Sequence, residues 1–190
     1  NILKAVMEGQ AIAVLSDAGT PLVSDPGYKL VRGAIEQDFF VTTIPGANAA
    51  LSGIQLSGLP TNQFSFLGFL PSKTTARVKL LQEWIETPGT LIVYETGPRL
   101  MESLSDIKDV LGNREAAVTR EITKMYEEVK RNKLSDLIAF YQDKGAPKGE
   151  IVVVIGPAGE EEKAVSTESL ESQIKKALET MSVRDAAAMV

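Results

Sequence analysis

The chain has 190 residues, 44% hydrophobic and 24% charged, with a formal net charge of −5, the balance of a globular protein. It contains neither Cys nor His, which excludes a disulfide framework, thiolate chemistry, a Ser-His-Asp hydrolase and a zinc enzyme. No apolar run reaches the about 18 residues of a membrane span, and Asn1-Ile2-Leu3-Lys4 does not open a signal peptide, so the cytoplasm is the expected compartment, with no membrane partner.

In chain order, Lys4 to Gln10 reads as the tail of a helix. Ala11-Ile12-Ala13-Val14-Leu15 is a short continuous apolar run, expected to be a strand buried on both faces. It stops at Ser16-Asp17-Ala18-Gly19-Thr20-Pro21, a cluster of turn formers. In Ser24-Asp25-Pro26-Gly27, Asp25 is expected to cap a helix, with Pro26 at its first position, whose face carries Tyr28, Val31 and Ile35. Phe39 to Ile44 reads as a second strand, and Asn48 opens a helix closed by Gly58 and Pro60.

A second unit starts near Phe64. Phe64 to Leu70 is strand-like, Ser72 or Thr74 caps a helix carrying Val78, Leu81 and Ile85, and Thr90 to Tyr94 is a β-branched strand. Arg99 to Leu111 reads as a helix with Gly112 past its end, Ala116 to Thr119 as a strand, and Ser135 to about Tyr141 as a helix. Ile151 to Ile155 is the strongest strand signal. The alternation predicts an α/β fold of two α/β domains, divided as 1–61 (amino-terminal, incomplete, its first strand missing) and 62–158, followed by a linker and helical tail at 159–190.

Polar clusters recur where these strands end. Open α/β sheets collect ligands at the carboxyl ends of their strands. Asp17 to Thr20 offers a carboxylate and a close backbone approach, although the same residues also describe a tight turn. Pro45-Gly46-Ala47-Asn48-Ala49-Ala50 follows a strand and opens a helix whose free amides suit an anion. Tyr94-Glu95-Thr96-Gly97-Pro98-Arg99 and Arg120-Glu121-Ile122-Thr123-Lys124 repeat the arrangement. No acid occurs between Phe39 and Gln82, where Phe66 and Phe69 lie beside Lys73, Arg77 and Lys79; this is a candidate stacking and phosphate surface for RNA, or a core with solvated cations.

With Ile44-Pro45-Gly46, Ser57-Gly58-Leu59-Pro60-Thr61, Gly68-Phe69-Leu70-Pro71 and Lys148-Gly149-Glu150 also in order, the chain resembles the ribosomal RNA small-subunit methyltransferase I family. That family is a branch of the tetrapyrrole methylase superfamily, whose members are class III S-adenosylmethionine-dependent methyltransferases. The resemblance runs from about Ala5 to Gly156 and departs at Thr96-Gly97-Pro98-Arg99, where the family's Ser-Pro-His-Arg has a His.

The resemblance implies a ligand cleft between two domains. It also implies S-adenosylmethionine as methyl donor, and methylation of the 2′-oxygen of a cytidine in the decoding region of 16S ribosomal RNA within the assembled small subunit, by a homodimer. The donor pocket it implies uses Asp17, Ala18, Gly19, Thr20, Asn48, Ala49, Tyr94, Glu95, Arg120, Glu121 and Glu150. For the base that takes the hydroxyl proton the candidates are Glu95, Glu121 and Lys124; Arg99 and Arg120 are candidates for RNA phosphates, with Lys73, Arg77 and Lys79. The alternatives are a methyltransferase of a tetrapyrrole or other small molecule, and a non-catalytic ribosome-binding fragment.

Overall fold

The computed structural model describes residues 2–17 and 19–159; Asn1, Ala18 and all but the first residue of the linker and tail expected at 159–190 lie outside the described residues. Two helices come first, α1 (Ile2–Met7) and α2 (Tyr28–Ile35), then α3 (Ala49–Ser57). The remainder alternates as β1 (Phe64–Phe69), α4 (Thr74–Gln82), β2 (Thr90–Thr96), α5 (Gly97–Leu111), β3 (Glu115–Arg120), β4 (Glu128–Lys133), α6 (Leu134–Lys144) and β5 (Glu150–Ile155).

The five strands form one sheet in the order β1-β2-β5-β3-β4. Only β1 and β2 run parallel, joined through α4; β5 lies antiparallel to both β2 and β3, and β4 is an antiparallel edge. Side chains alternate across each strand, so one sheet face is built from Leu91, Val93, Ala116, Val118, Ile151, Val153 and Ile155. That face is covered by α4, α5 and α6 through Leu81, Leu100, Leu104, Ile107 and Leu137. The opposite face, with Ile92, Ala117, Val152 and Val154, is covered by Ala50 and Ile54 of α3. A Cβ on Gly53 would come within 2.9 Å of Val152 Cγ1, so a glycine is what lets α3 lie this close to the sheet.

Several local expectations hold for the expected reasons. Asn48 caps α3, accepting a hydrogen bond from Leu51 N at 3.0 Å, and Gly58 ends it in the left-handed region at φ 75°. Gly112 follows α5. Others do not hold. Among the described residues neither 11–15 nor 39–44 belongs to a ladder, and Leu15, Phe40 and Ile44 are 85%, 90% and 91% exposed. An apolar run encodes a preference for burial, but a strand exists only where a neighbour accepts its hydrogen bonds. The N-cap of α2 is Gly27 at φ 126°, not Asp25. The helix expected from Ser135 starts one residue earlier, with Asn113 Oδ1 accepting from Ser135 N at 2.9 Å. Strand β4, Glu-Val-Lys-Arg-Asn-Lys, has no counterpart among the expected elements: an edge strand this polar carries no apolar alternation, and pairing with β3 alone defines it.

Candidate functional site

Helix α3 brings the amino-terminal third of the chain onto the sheet. Its first turn meets the loop after residue 17 and the carboxyl end of β2. Thr20 Oγ1 donates to Ala47 O at 2.9 Å and accepts from Asn48 Nδ2 at 3.4 Å. One residue past its neighbour Ala49, Ala50 N donates to the hydroxyl of Tyr94 at 3.2 Å. Phe66 and Phe69 meet Tyr94 edge-on, with ring centroids 4.7 and 5.5 Å away, which fixes the ring as a wall. Burial pushes the Tyr94 phenol above its usual pKa.

These groups line a cleft of about 400 Å³, in the size range of small-molecule sites. Gly19, Thr20, Asn48 and Ala49 form one side, and Tyr94, Phe69 and Ile122 supply an apolar wall. Thr123, Lys124, Gly149 and Glu150 close the other side. The far side is a tied corner. Glu121 Oε1 accepts from Glu150 N at 2.9 Å and from Lys124 Nζ at 3.1 Å, and Lys124 Nζ donates to Glu150 Oε2 at 3.0 Å. The Glu150 amide and then Lys124 hold the Glu121 carboxyl below the usual carboxylate range, while Glu150 and then Glu121 raise Lys124. Both groups therefore stay charged near neutrality. A lysine that removes a proton needs the opposite shift, whereas Lys124 is paired with two carboxylates.

The other candidates divide by strand alternation. Tyr94 points to the α3 side, so Glu95 points away from it. Glu95 borders the cleft, yet its side chain is fully buried and accepts from Ser103 Oγ and from Thr96 N at 2.8 Å, with Arg99 3.4 Å away. Burial and hydrogen bonding decide here: this carboxylate holds the start of α5 and is not free to act as a base. Arg120 likewise projects to the α6 face, away from the cleft, and donates to Lys148 O at 3.3 Å. Asp17 is exposed and outside the cleft lining. Asp25, read as a helix cap, lines it instead, because left-handed turns at Leu22 and Ser24 re-aim the loop. Its sequence signal was a second acid-and-glycine stretch shortly after the first.

The cationic surface is smaller than expected. Lys73 and Lys79 are exposed. Arg77 is 0% exposed, with Nε 2.6 Å from Asp106 and further hydrogen bonds to Pro71 O, Ser72 O and Thr74 Oγ1. It locks α4 to α5 and cannot reach a phosphate. Arg99 donates Nη2 to Leu70 O at 2.6 Å and to Pro71 O at 3.3 Å, closing the turn after β1.

The chain matches the family model described as Tetrapyrrole (Corrin/Porphyrin) Methylases over residues 2–138. Ribosomal RNA small subunit methyltransferase I of Mesorhizobium japonicum is 47% identical over 158 residues, 83% of this chain and 54% of that protein. The Erythrobacter litoralis protein of the same name is 49% identical over 160 residues, 84% of this chain and 56% of its own. That of Pasteurella multocida is 39% identical, covering 100% of this chain and 68% of its own length. The chain thus spans about half the length of the first two. The crystal structure of the methyltransferase CobJ aligns with a TM-score of 0.60 at 18% identity, over 82% of this chain and 68% of that one, a likeness of fold. From the family match and these relatives together, the chain belongs to the tetrapyrrole methylase family and, within it, to the ribosomal RNA small subunit methyltransferase I group.

Proposed function

We propose that this chain carries the donor cleft of an S-adenosylmethionine-dependent methyltransferase that acts on the 2′-oxygen of a cytidine in the decoding region of 16S ribosomal RNA. The division into domains at 1–61 and 62–158 with a tail at 159–190, homodimer assembly, action on the assembled small subunit and a cytoplasmic setting belong to the same proposal. Among the described residues no helix is long and apolar enough to cross a membrane.

The observation that carries the reading is the meeting of Thr20, Asn48 and Tyr94, from three separate segments, around one cleft. The cleft suits an adenosyl group. Tyr94 and Phe69 offer an apolar wall to a flat base; Thr20, Asn48 and Asp25 offer acceptors for hydroxyl and amino groups. Small residues at Gly19, Ala47 and Ala49 let backbone approach closely. When bound, such a donor supplies a methyl group already activated by its sulfonium, so orientation of the acceptor carries most of the acceleration. Lys124, held protonated by Glu121 and Glu150, is placed to favour the developing alkoxide of the ribose hydroxyl electrostatically. The rRNA acceptor rests on the names of the relatives and on the sequence resemblance.

The test has two arms. Calorimetry with S-adenosylhomocysteine on this chain and on the full-length protein measures the cleft, and its Asp25→Asn variant should bind more weakly. Methyl transfer by the full-length protein to small subunits, to bare 16S RNA and to a tetrapyrrole then identifies the acceptor. Absence of donor-product binding by the full-length protein sinks the reading, and transfer to the tetrapyrrole alone replaces the acceptor.

A further inference from the structure

On the sheet face opposite the donor cleft lies a second cavity, of about 380 Å³, between the β3–β4 hairpin, the last turn of α6 and the loop from Gly145 to Pro147. Cross-strand pairing places Arg120 beside Glu128 and Val118 beside Lys130, so both cations project towards α6. Tyr141 lines the cavity from α6. It is 2% exposed, and its hydroxyl has no hydrogen-bond partner. Arg120 Nε, buried on the same wall, also lacks one.

Two unsatisfied donors on residues that line one hollow are costly unless something meets them, because a buried unpaired polar group forfeits its hydration. The chemistry of the missing partner follows from the groups. Arg120 Nε can only donate, and burial pushes the Tyr141 phenol up to about 12, so it keeps its proton and donates as well. The partner must therefore be rich in acceptors. Charge gives its sign. Arg120, Lys130 and Lys144 line the cavity against the single carboxylate of Glu128, an excess of two positive charges. The end of α6 contributes roughly half a negative charge, too little to reverse this. Lys130 is held over the Phe140 ring at 4.8 Å and only loosely to Glu128, at 3.9 Å, so its ammonium is available to a stronger acceptor.

We infer that this cavity is an oxyanion site for a phosphate group, with Arg120 and Tyr141 as the buried donors and Lys130 as the cation at its mouth. It is separate from the donor cleft and does not depend on the function assigned there. The phosphate is either a free phosphate species or a phosphodiester of an RNA strand.

Orthophosphate titrated into the protein at constant ionic strength, followed by calorimetry, should show saturable binding. Tyr141→Phe should weaken it about tenfold and Arg120→Met by more, as expected for lost hydrogen bonds to a charged ligand. Thermal melts of both variants confirm folding. A merely unsatisfied hydroxyl behaves differently: Tyr141→Phe then raises the melting temperature and leaves phosphate affinity unchanged, which overturns the site, as does a heat that never saturates. A short unstructured oligoribonucleotide that displaces orthophosphate identifies RNA as the source; binding without displacement identifies a free phosphate species.

Discussion

Lys124 Nζ and Glu150 Oε2 meet at 3.0 Å, joining the loop after β3 to the start of β5 and closing the far side of the cleft. Glu121 completes the tie, and a Cβ on Gly149 would approach its Oε1 to 2.5 Å, so a glycine is what lets the carboxylate lie against this backbone. Its pH range follows from the two shifts. The Glu121 carboxyl is lowered, so its contribution is present above the unfolded carboxylate pKa of about 4.3 and is lost as pH falls through the lowered folded value. Lys124 is raised, so its contribution is full below about 10.4 and is lost as pH rises through the raised folded value. The hydrogen-exchange protection factor of the Glu150 amide should therefore be flat between about pH 5 and pH 10 and should fall in Glu121→Gln. Equal protection in that variant would contradict the tie.

If Lys124 acts as a cation and not as a base, charge is what matters. Lys124→Met in the full-length protein should lower kcat by about a hundredfold, the order found for an electrostatic donor. Lys124→Arg should restore most of it, with the donor KM little changed. An arginine variant as inactive as the methionine variant would return Lys124 to the role of base.

Arg77 sits in a buried ion pair, and removing one partner leaves a charge without compensation. Arg77→Met should cost about 3 kcal/mol in urea unfolding, the low end for such pairs because the Asp106 side chain keeps 16% exposure. The same variant should leave the salt dependence of RNA binding unchanged. A residue on a phosphate would instead reduce the slope by about one.

Gly53→Ala pits two effects against each other. Alanine gains about 1 kcal/mol of helix propensity, but its Cβ would press on Val152 Cγ1 at 2.9 Å and on Val152 Cβ at 3.2 Å. Overpacking of about 1–3 kcal/mol prevails, because the neighbour belongs to a central strand that cannot yield. The variant should unfold at lower urea and bind S-adenosylhomocysteine more weakly, since α3 carries Asn48 and Ala49 at its start. A more stable variant would show that α3 rides looser on the sheet than its contacts imply.

Sequence alone determined what local chemistry controls. The β-branched runs at Thr90 and Ile151 became central strands, Asn48 and Gly58 bounded α3, and the clusters after β2 and β3 came to one end of the sheet. Family membership was legible there too, because many short motifs kept their order. Tertiary structure decided the rest. Whether the side chain of Glu95 or of Tyr94 meets α3 depends on which sheet face α3 covers, since neighbours on a strand point opposite ways. Arg77 and Arg120 left the surfaces expected of them once α4, α5 and α6 settled over the other face. The apolar runs 11–15 and 39–44 show the limit most plainly: a strand is a relation between segments, and hydrogen bonds to a neighbour are not written in the segment itself.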